Sequence, residues 1–211
     1  MIDFKTPLEQ TPRGGGWGLS QVGDCERKLT FVDHPDFSPE AFDAKTLRIF
    51  AFGHMVEELV GKEIEARGHS LTGRQDKILW CDRVGHIDGI IDELTLWECK
   101  SLNSFAFNGS RNIPGLIKVG VKDKYPQYYD QIQAYLNGKK LTQALFTGLN
   151  KDNSIIYQEV IPYDEKESLR LWNKIIVLNG YRDRKEFHPI PDWVTWHCKY
   201  CNYSKPCKEL A

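Results

Sequence analysis

Long apolar runs are missing from this sequence: no stretch approaches the roughly 20 apolar residues that a membrane-crossing helix needs, so no membrane role is expected. An excess of positive charge is missing too. Twenty-eight Lys and Arg stand against 29 Asp and Glu, a formal net charge of -1. Contact with a polyanion would therefore have to come from a local groove rather than a globally basic surface. The polar stretch Met1–Gly16 has no apolar core of the kind a secretory signal carries, which sets the expectation of a cytoplasmic protein. Internal repeats and low-complexity tracts are absent as well.

What is present is an ordinary globular composition, with 211 residues of which 41% are hydrophobic, 27% charged and 12% aromatic. That length suits one well-buried domain spanning 1–211. Residues 1–18, with Pro7, Pro12 and the run Gly14-Gly15-Gly16, read as a flexible arm. Six cysteines without an export signal point to metal ligation or burial instead of a disulfide framework. Cys198, Cys201 and Cys207 have the spacing C-x2-C-x5-C, which lets three thiolates close on one centre. A fourth ligand could be His197 or Cys25, and less plausibly Cys81 or Cys99, for zinc or an iron-sulfur cluster. Trp193 and Trp196 would shield the centre. Cys81 itself reads as a small buried apolar residue.

The rest of the chain is organised around Gly85–Ser101, G-H-I-D-G-I-I-D-E-L-T-L-W-E-C-K-S. Apolar residues on both sides of Asp92-Glu93 read as two strands around a tight reversal. Alternation puts Leu94, Leu96, Glu98 and Lys100 on one face and Trp97 and Cys99 on the other. Folding the hairpin about residue 93 sets Asp88 opposite Glu98 and His86 opposite Lys100. Two carboxylates crowded at one end repel unless something neutralises them, and a divalent cation is the natural partner.

Around this hairpin the periodicity predicts a short helix within 19–32 carrying Cys25. A longer helix is expected to open at Ser38-Pro39-Glu40 and to stop near Gly68, with Phe52, Val56, Leu59, Val60 and Ile64 as its apolar stripe and His54, Glu57, Glu58 and Gly61 along the edge. A strand is expected at Ile78–Cys81, a basic loop from Leu102 to Lys124, and a helix from Pro126 to Gly138 with Gln131 and Tyr135 on one face. Strands at 142–149 and 154–161, then an amphipathic helix at 165–182 built on Leu169, Trp172, Ile176 and Leu178 or Asn179, complete an α/β chain with a mixed central sheet flanked by helices.

These residues resemble the PD-(D/E)XK nuclease superfamily, in particular its RecB-like branch. G-H-M-V-E-E-L-V at 53–60 looks like the first motif, G-H-I-D-G at 85–89 supplies the aspartate, E-C-K at 98–100 the glutamate and lysine, and Q-I-Q-A-Y at 131–135 the Q-x-x-x-Y helix. The branch usually places a histidine four residues after the glycine of the first motif. Here that position is Glu57, and the histidine is His54. With Cys25 and the C-terminal triplet, the chain is similar to the iron-sulfur subgroup of CRISPR-associated RecB-like exonucleases, AddB-type nuclease domains and phage exonucleases.

The resemblance implies a restriction-endonuclease-like core whose ends are joined at a [4Fe-4S] cluster on Cys25, Cys198, Cys201 and Cys207, with Zn2+ as the alternative. It implies DNA as partner and substrate, without naming protein partners from recombination, replication or CRISPR-type systems. It also implies a DNA exonuclease dependent on Mg2+ or Mn2+, in the cytoplasm or, if the chain is viral, in that of the host. Asp88, Glu98 and Lys100 would be catalytic. Glu57 or His54, Asp88, Glu98 and the Cys99 carbonyl would hold the metal, and Gln131 and Tyr135 would contact substrate. Two competing readings are a catalytically silent DNA-binding or scaffold subunit and a zinc-stabilised endonuclease.

Overall fold

The computed structural model describes residues 15–39, 41–191 and 196–210, apart from the side chains of residues 196 and 197. Most of the expected N-terminal arm, Glu40, Trp193 and the His197 ligand therefore fall outside the described residues. In chain order the elements are a 3-10 turn Leu19–Gln21, α1 (Glu26–Asp33), α2 (Ala44–Ala66), β1 (Leu71–Thr72), β2 (Lys77–Trp80), β3 (Arg83–His86), β4 (Gly89–Ile91) and β5 (Thr95–Leu102). They continue through α3 (Ser104–Asn108), β6 (Gly109–Ser110), β7 (Ile113–Pro114), α4 (Leu116–Lys124), α5 (Pro126–Lys139), β8 (Gln143–Asn150), β9 (Ile156–Pro162) and α6 (Glu165–Arg184). A 3-10 turn at Trp196–Tyr200 and α7 (Ser204–Glu209) close the described chain.

Five strands form the central sheet in the order β1-β4-β5-β8-β9. Every neighbouring pair is antiparallel except β5 and β8, which run parallel and require the α3–α5 crossover between them. Trp97 and Cys99 of β5 pack with Val56 and Val60 of α2 on one face. Leu96 of the same strand joins Phe146, Ile132, Leu136 and Ile175 on the other, under α5 and α6. Sheet alternation thus assigns α2 and α5 to opposite faces, and both reach the middle of β5. No helix among the described residues is long and apolar enough to cross a membrane.

The β4–β5 hairpin folds about residue 93 as its sequence predicts, with Gly89 opposite Trp97 and Ile91 opposite Thr95. Asp92 and Glu93 both take positive φ, 50° and 60°, as the central pair of a tight turn that Leu94 N–H closes onto Ile91 O at 3.1 Å within a three-residue connection. The first arm is shorter than expected. Gly85 and His86 belong to β3, where His86 faces Lys77 and not Lys100. The chain leaves one ladder and enters the next across Ile87-Asp88, so β5 has no partner on that side beyond Trp97.

Other differences have local causes. Helix α2 starts at Ala44, where the Asp43 carboxylate accepts from Thr46 N–H at 2.7 Å; that cap displaces the start expected at Ser38-Pro39. Val56 and Val60 are buried, while Phe52 and Leu59 are 41% and 49% exposed and so lie outside the core. In α6 the buried apolar residues are Leu171, Ile175 and Leu178, and the expected Leu169, Trp172 and Ile176 face outward. Residues 102–124 hold α3, α4 and the small β6–β7 hairpin in place of an open loop. Cys81 sits at the β2–β3 turn with φ 50° and is only partly buried. At the near end of the expected arm Trp17 is 3% exposed, with Arg83 stacked over its ring at 4.1 Å.

The ends of the described chain meet at α1. Arg27 donates to the carbonyls of His188 at 2.7 Å and Leu210 at 2.8 Å. Phe31 stacks on Phe187 and Tyr203, with ring centroids 4.3 and 5.8 Å away.

Candidate active site

Glu98 lies in the middle of β5 and has no solvent exposure. One carboxylate oxygen, Oε1, accepts from Gln131 Nε2 of α5 at 2.9 Å and pairs with Lys100 Nζ. The other, Oε2, is buried without a hydrogen-bond donor. Leaving a buried carboxylate oxygen unmet is costly, so this atom marks a place where a cationic partner fits.

Asp88, on the linker between β3 and β4, turns its carboxylate back onto the free edge of β5 and accepts from Cys99 N–H at 2.7 Å. Burial is the main cause, with Glu98 charge second, of an Asp88 pKa raised from 3.8 to about 8. A carboxylate in that state takes on a proton or a metal ion. Lys100 holds its charge more firmly than an ordinary lysine: burial opposes the ammonium, but Glu98 and Asp88 together outweigh it. Burial likewise pushes the Cys99 thiol up to about 12, which keeps it a neutral packing group among Trp97 and Val56.

From the opposite face of the sheet, α2 brings Glu57, buried at 9% exposure and close enough for its charge to act on Asp88. Gln75 Nε2 donates to its Oε1 at 2.8 Å. His54 lies one turn away with its side chain 77% exposed, 3.8 Å from Glu57 Oε2. Glu58 points to Arg74 at 2.8 Å on the helix exterior. Glu57 is thus the first-motif side chain directed into the cluster.

From α5 come Gln131 and Tyr135, joined by a residue that the motif did not single out. Tyr128 places its ring 5.2 Å from Lys100 Nζ. It stands three residues before Gln131 and seven before Tyr135, so helical spacing alone could have nominated it. Tyr135 is 1% exposed, and its hydroxyl meets the backbone of His86. Burial, reinforced by Glu98, raises its pKa and keeps the phenol protonated. It packs against Gly85, where an added Cβ would come within 2.7 Å of the ring, so strand and helix can approach this closely only with glycine there. His86 itself is exposed on β3.

At the chain ends, Cys25 occupies the position before α1, and Cys201 lies within electrostatic reach of Cys25 and Cys207. Burial is the chief cause of a raised Cys201 pKa. Cys198 is linked to Cys201 by a backbone hydrogen bond of 3.4 Å. Among the described residues no group of three or more His, Cys, Asp or Glu side chains is gathered closely enough to form a finished metal cage. The donor types still suit two different ions: carboxylate oxygens around Glu98 for a hard divalent cation, and thiols at the chain ends for a soft one.

No protein-family model and no curated protein matches the sequence. Solved structures do match the fold. An alkaline exonuclease from Laribacter hongkongensis superposes with a TM-score of 0.59 at 13% identity, over 93% of this chain and 95% of that one. The chain shares the fold of that exonuclease. The same exonuclease in complex with dAMP gives a TM-score of 0.57 at 13% identity, covering 93% and 95% of the two chains. A phage-related exonuclease from Haemophilus somnus gives 0.59 at 13% identity, covering 80% and 94%.

Proposed function

We propose that this protein is a divalent-metal-dependent deoxyribonuclease, an exonuclease acting on DNA ends or single strands. The observation that carries this reading is the orphaned, fully buried Glu98 Oε2 beside an Asp88 whose charge is suppressed, at the open edge of β5. Folds shared with exonucleases at 13% identity support it at the level of scaffold.

Asp88, Glu98 and Glu57 are the side chains that would hold Mg2+ or Mn2+, with the Cys99 carbonyl as a further ligand and His54 as an outlying one. Bound there, the ion would supply charge neutralisation at a phosphodiester and a lowered pKa for a water molecule. The chain's own groups prepare that chemistry. Gln131 donates to Glu98 Oε1, which leaves Oε2 as the oxygen available to the ion. Lys100 balances the two carboxylates while the site is empty of substrate, and its ammonium then orients the attacking water or faces the phosphate. Tyr135 stays protonated and holds the β3 strand end against α5.

The cysteine segments would hold a [4Fe-4S] cluster on Cys25, Cys198, Cys201 and Cys207, with Zn2+ as the alternative occupant, in the manner of the RecB-like iron-sulfur branch. Its role would be structural, joining ends that Arg27 and Phe31 already bring together. The test is cleavage of end-labelled DNA with Mg2+ or Mn2+, repeated with Asp88→Asn. Cleavage by the wild type alone is expected. No cleavage by either protein, or equal cleavage by both, refutes the enzyme.

A further inference from the structure

A cleft of about 370 Å3 is lined by Lys45, Arg48, Ile49 and Phe52 of α2, Ser101 of β5, and Lys151 with Asp152 from the turn between β8 and β9. None of these residues takes part in the chemistry proposed above. Its placement follows from the fold. Ser101 is two residues beyond Cys99 on the same face of β5, roughly 6.6 Å along the strand. Phe52 precedes Glu57 by five residues, about 7.5 Å along the helix axis. Strand and helix therefore both carry the cleft away from the carboxylates by about the same distance.

The lining combines cations with an exposed ring. Phe52 is 41% and Ile49 52% exposed, part of an apolar outer face of α2 that Phe50, Met55 and Leu59 share, while Val56 and Val60 pack on the sheet. Lys45, Arg48 and Lys151 bring three positive charges against the carboxylates of Asp152 and nearby Asp43. Both carboxylates are turned to backbone donors: Asp152 accepts from Ser104 N–H and Asp43 from Thr46 N–H, each at 2.7 Å. The turn that carries Lys151 is fixed in place, since its own N–H donates to Leu102 O at 2.8 Å.

Cations that track phosphates beside an aromatic or aliphatic surface that stacks a base are the chemistry of single-strand recognition. We infer that this cleft is a subsite for one unpaired nucleotide next to the bond to be cleaved, the base lying on Phe52 and Ile49 and the phosphate meeting Lys45, Arg48 and Lys151. The inference rests on the nuclease reading for what happens at the carboxylates, but binding at the cleft is measurable without it. Such a subsite selects frayed or single-stranded ends over blunt duplex, because a paired base cannot leave its stack to enter without a cost in unpairing.

The experiment is fluorescence anisotropy of a labelled single-stranded oligonucleotide and a blunt duplex in chelator, with wild type, Phe52→Ala and Lys151→Ala, followed by cleavage of both DNAs with Mn2+. Single-strand affinity is expected to fall about tenfold in Phe52→Ala, with little change on duplex. In Lys151→Ala the slope of affinity against salt should become shallower by about one phosphate contact. Both positions are exposed, so unaltered melting curves will accompany these losses. Unchanged single-strand affinity in both variants overturns the inference, as does equal loss on single strand and duplex in Phe52→Ala. If the wild type cleaves while the variants bind normally, the nuclease reading stands and the cleft assignment falls. If the wild type never cleaves while the variants lose single-strand binding, the cleft stands and the nuclease reading falls.

Discussion

Glu98 is held at Oε1 by Gln131 and Lys100 and left unmet at Oε2, and that imbalance is the source of the site's chemistry. Gln131→Leu removes one donor from a buried charge; metal-free stability should fall by about 1–3 kcal/mol in urea titrations. Asp88 gives a pH signature. Its folded pKa, about 8 against an ordinary 3.8, means that the folded state holds a proton which the unfolded chain has released. The associated stability is fully present below about pH 4 and is lost as pH rises through about 8. In chelator the wild-type melting temperature should therefore fall between pH 5 and pH 9, and Asp88→Asn should flatten that fall; parallel slopes would show that Asp88 is not the group. Adding Mg2+ at pH 8.5 should raise the melting temperature of the wild type alone. Order and spacing nominated Asp88, Glu98, Lys100, Gln131 and Tyr135, and the fold brings these side chains together around β5. The sequence left Glu57 and His54 unresolved because both lie on one helix edge, and only their depths separate them, 9% exposure for Glu57 as a whole against 77% for the His54 side chain.

Among the elements, the β4–β5 hairpin is the best specified by its sequence. Its turn residues Asp92 and Glu93 adopt left-handed backbone that favours glycine, and Asp92 compensates by accepting from Ser70 N–H at 2.9 Å. Glu93→Gly should consequently raise unfolding free energy by about 1 kcal/mol, whereas Asp92→Gly, which forfeits the bond, should not. The break between β3 and β4 was hidden because Gly85–Ile91 reads as one continuous strand, and nothing local announces that Tyr135 will draw Gly85 against α5. The buried faces of α2 and α6 depart from their sequence periodicity for a related reason. Each offers more apolar positions than the sheet covers, so which of them are buried is settled by packing partners distant in sequence. At Gly138, where α5 crosses β2, an added Cβ would sit 2.4 Å from Ile78; Gly138→Ala should cost roughly 1–3 kcal/mol by overpacking.

At the scale of the whole molecule, a mixed sheet lets α2 and α5 bring side chains to one strand edge from opposite faces, while α1 gathers the end of the described chain. Arg27→Ala, which deprives two carbonyls of a charged donor, should lower stability by about 2–3 kcal/mol without changing the cysteine content of the site. Cys198→Ala tests the thiol centre apart from it. An iron-sulfur protein will be brown, bleach on reduction and lose colour and stability together in that variant, whereas a colourless protein with stoichiometric zinc reverses the choice of metal. The central claim is that the buried carboxylates at the β5 edge serve metal-dependent phosphodiester cleavage. Its most direct measurement is nucleotide release from end-labelled DNA by wild type and Asp88→Asn, with and without Mn2+. Release only by the wild type and only with the metal is the predicted result; release that persists in chelator or in Asp88→Asn would contradict it.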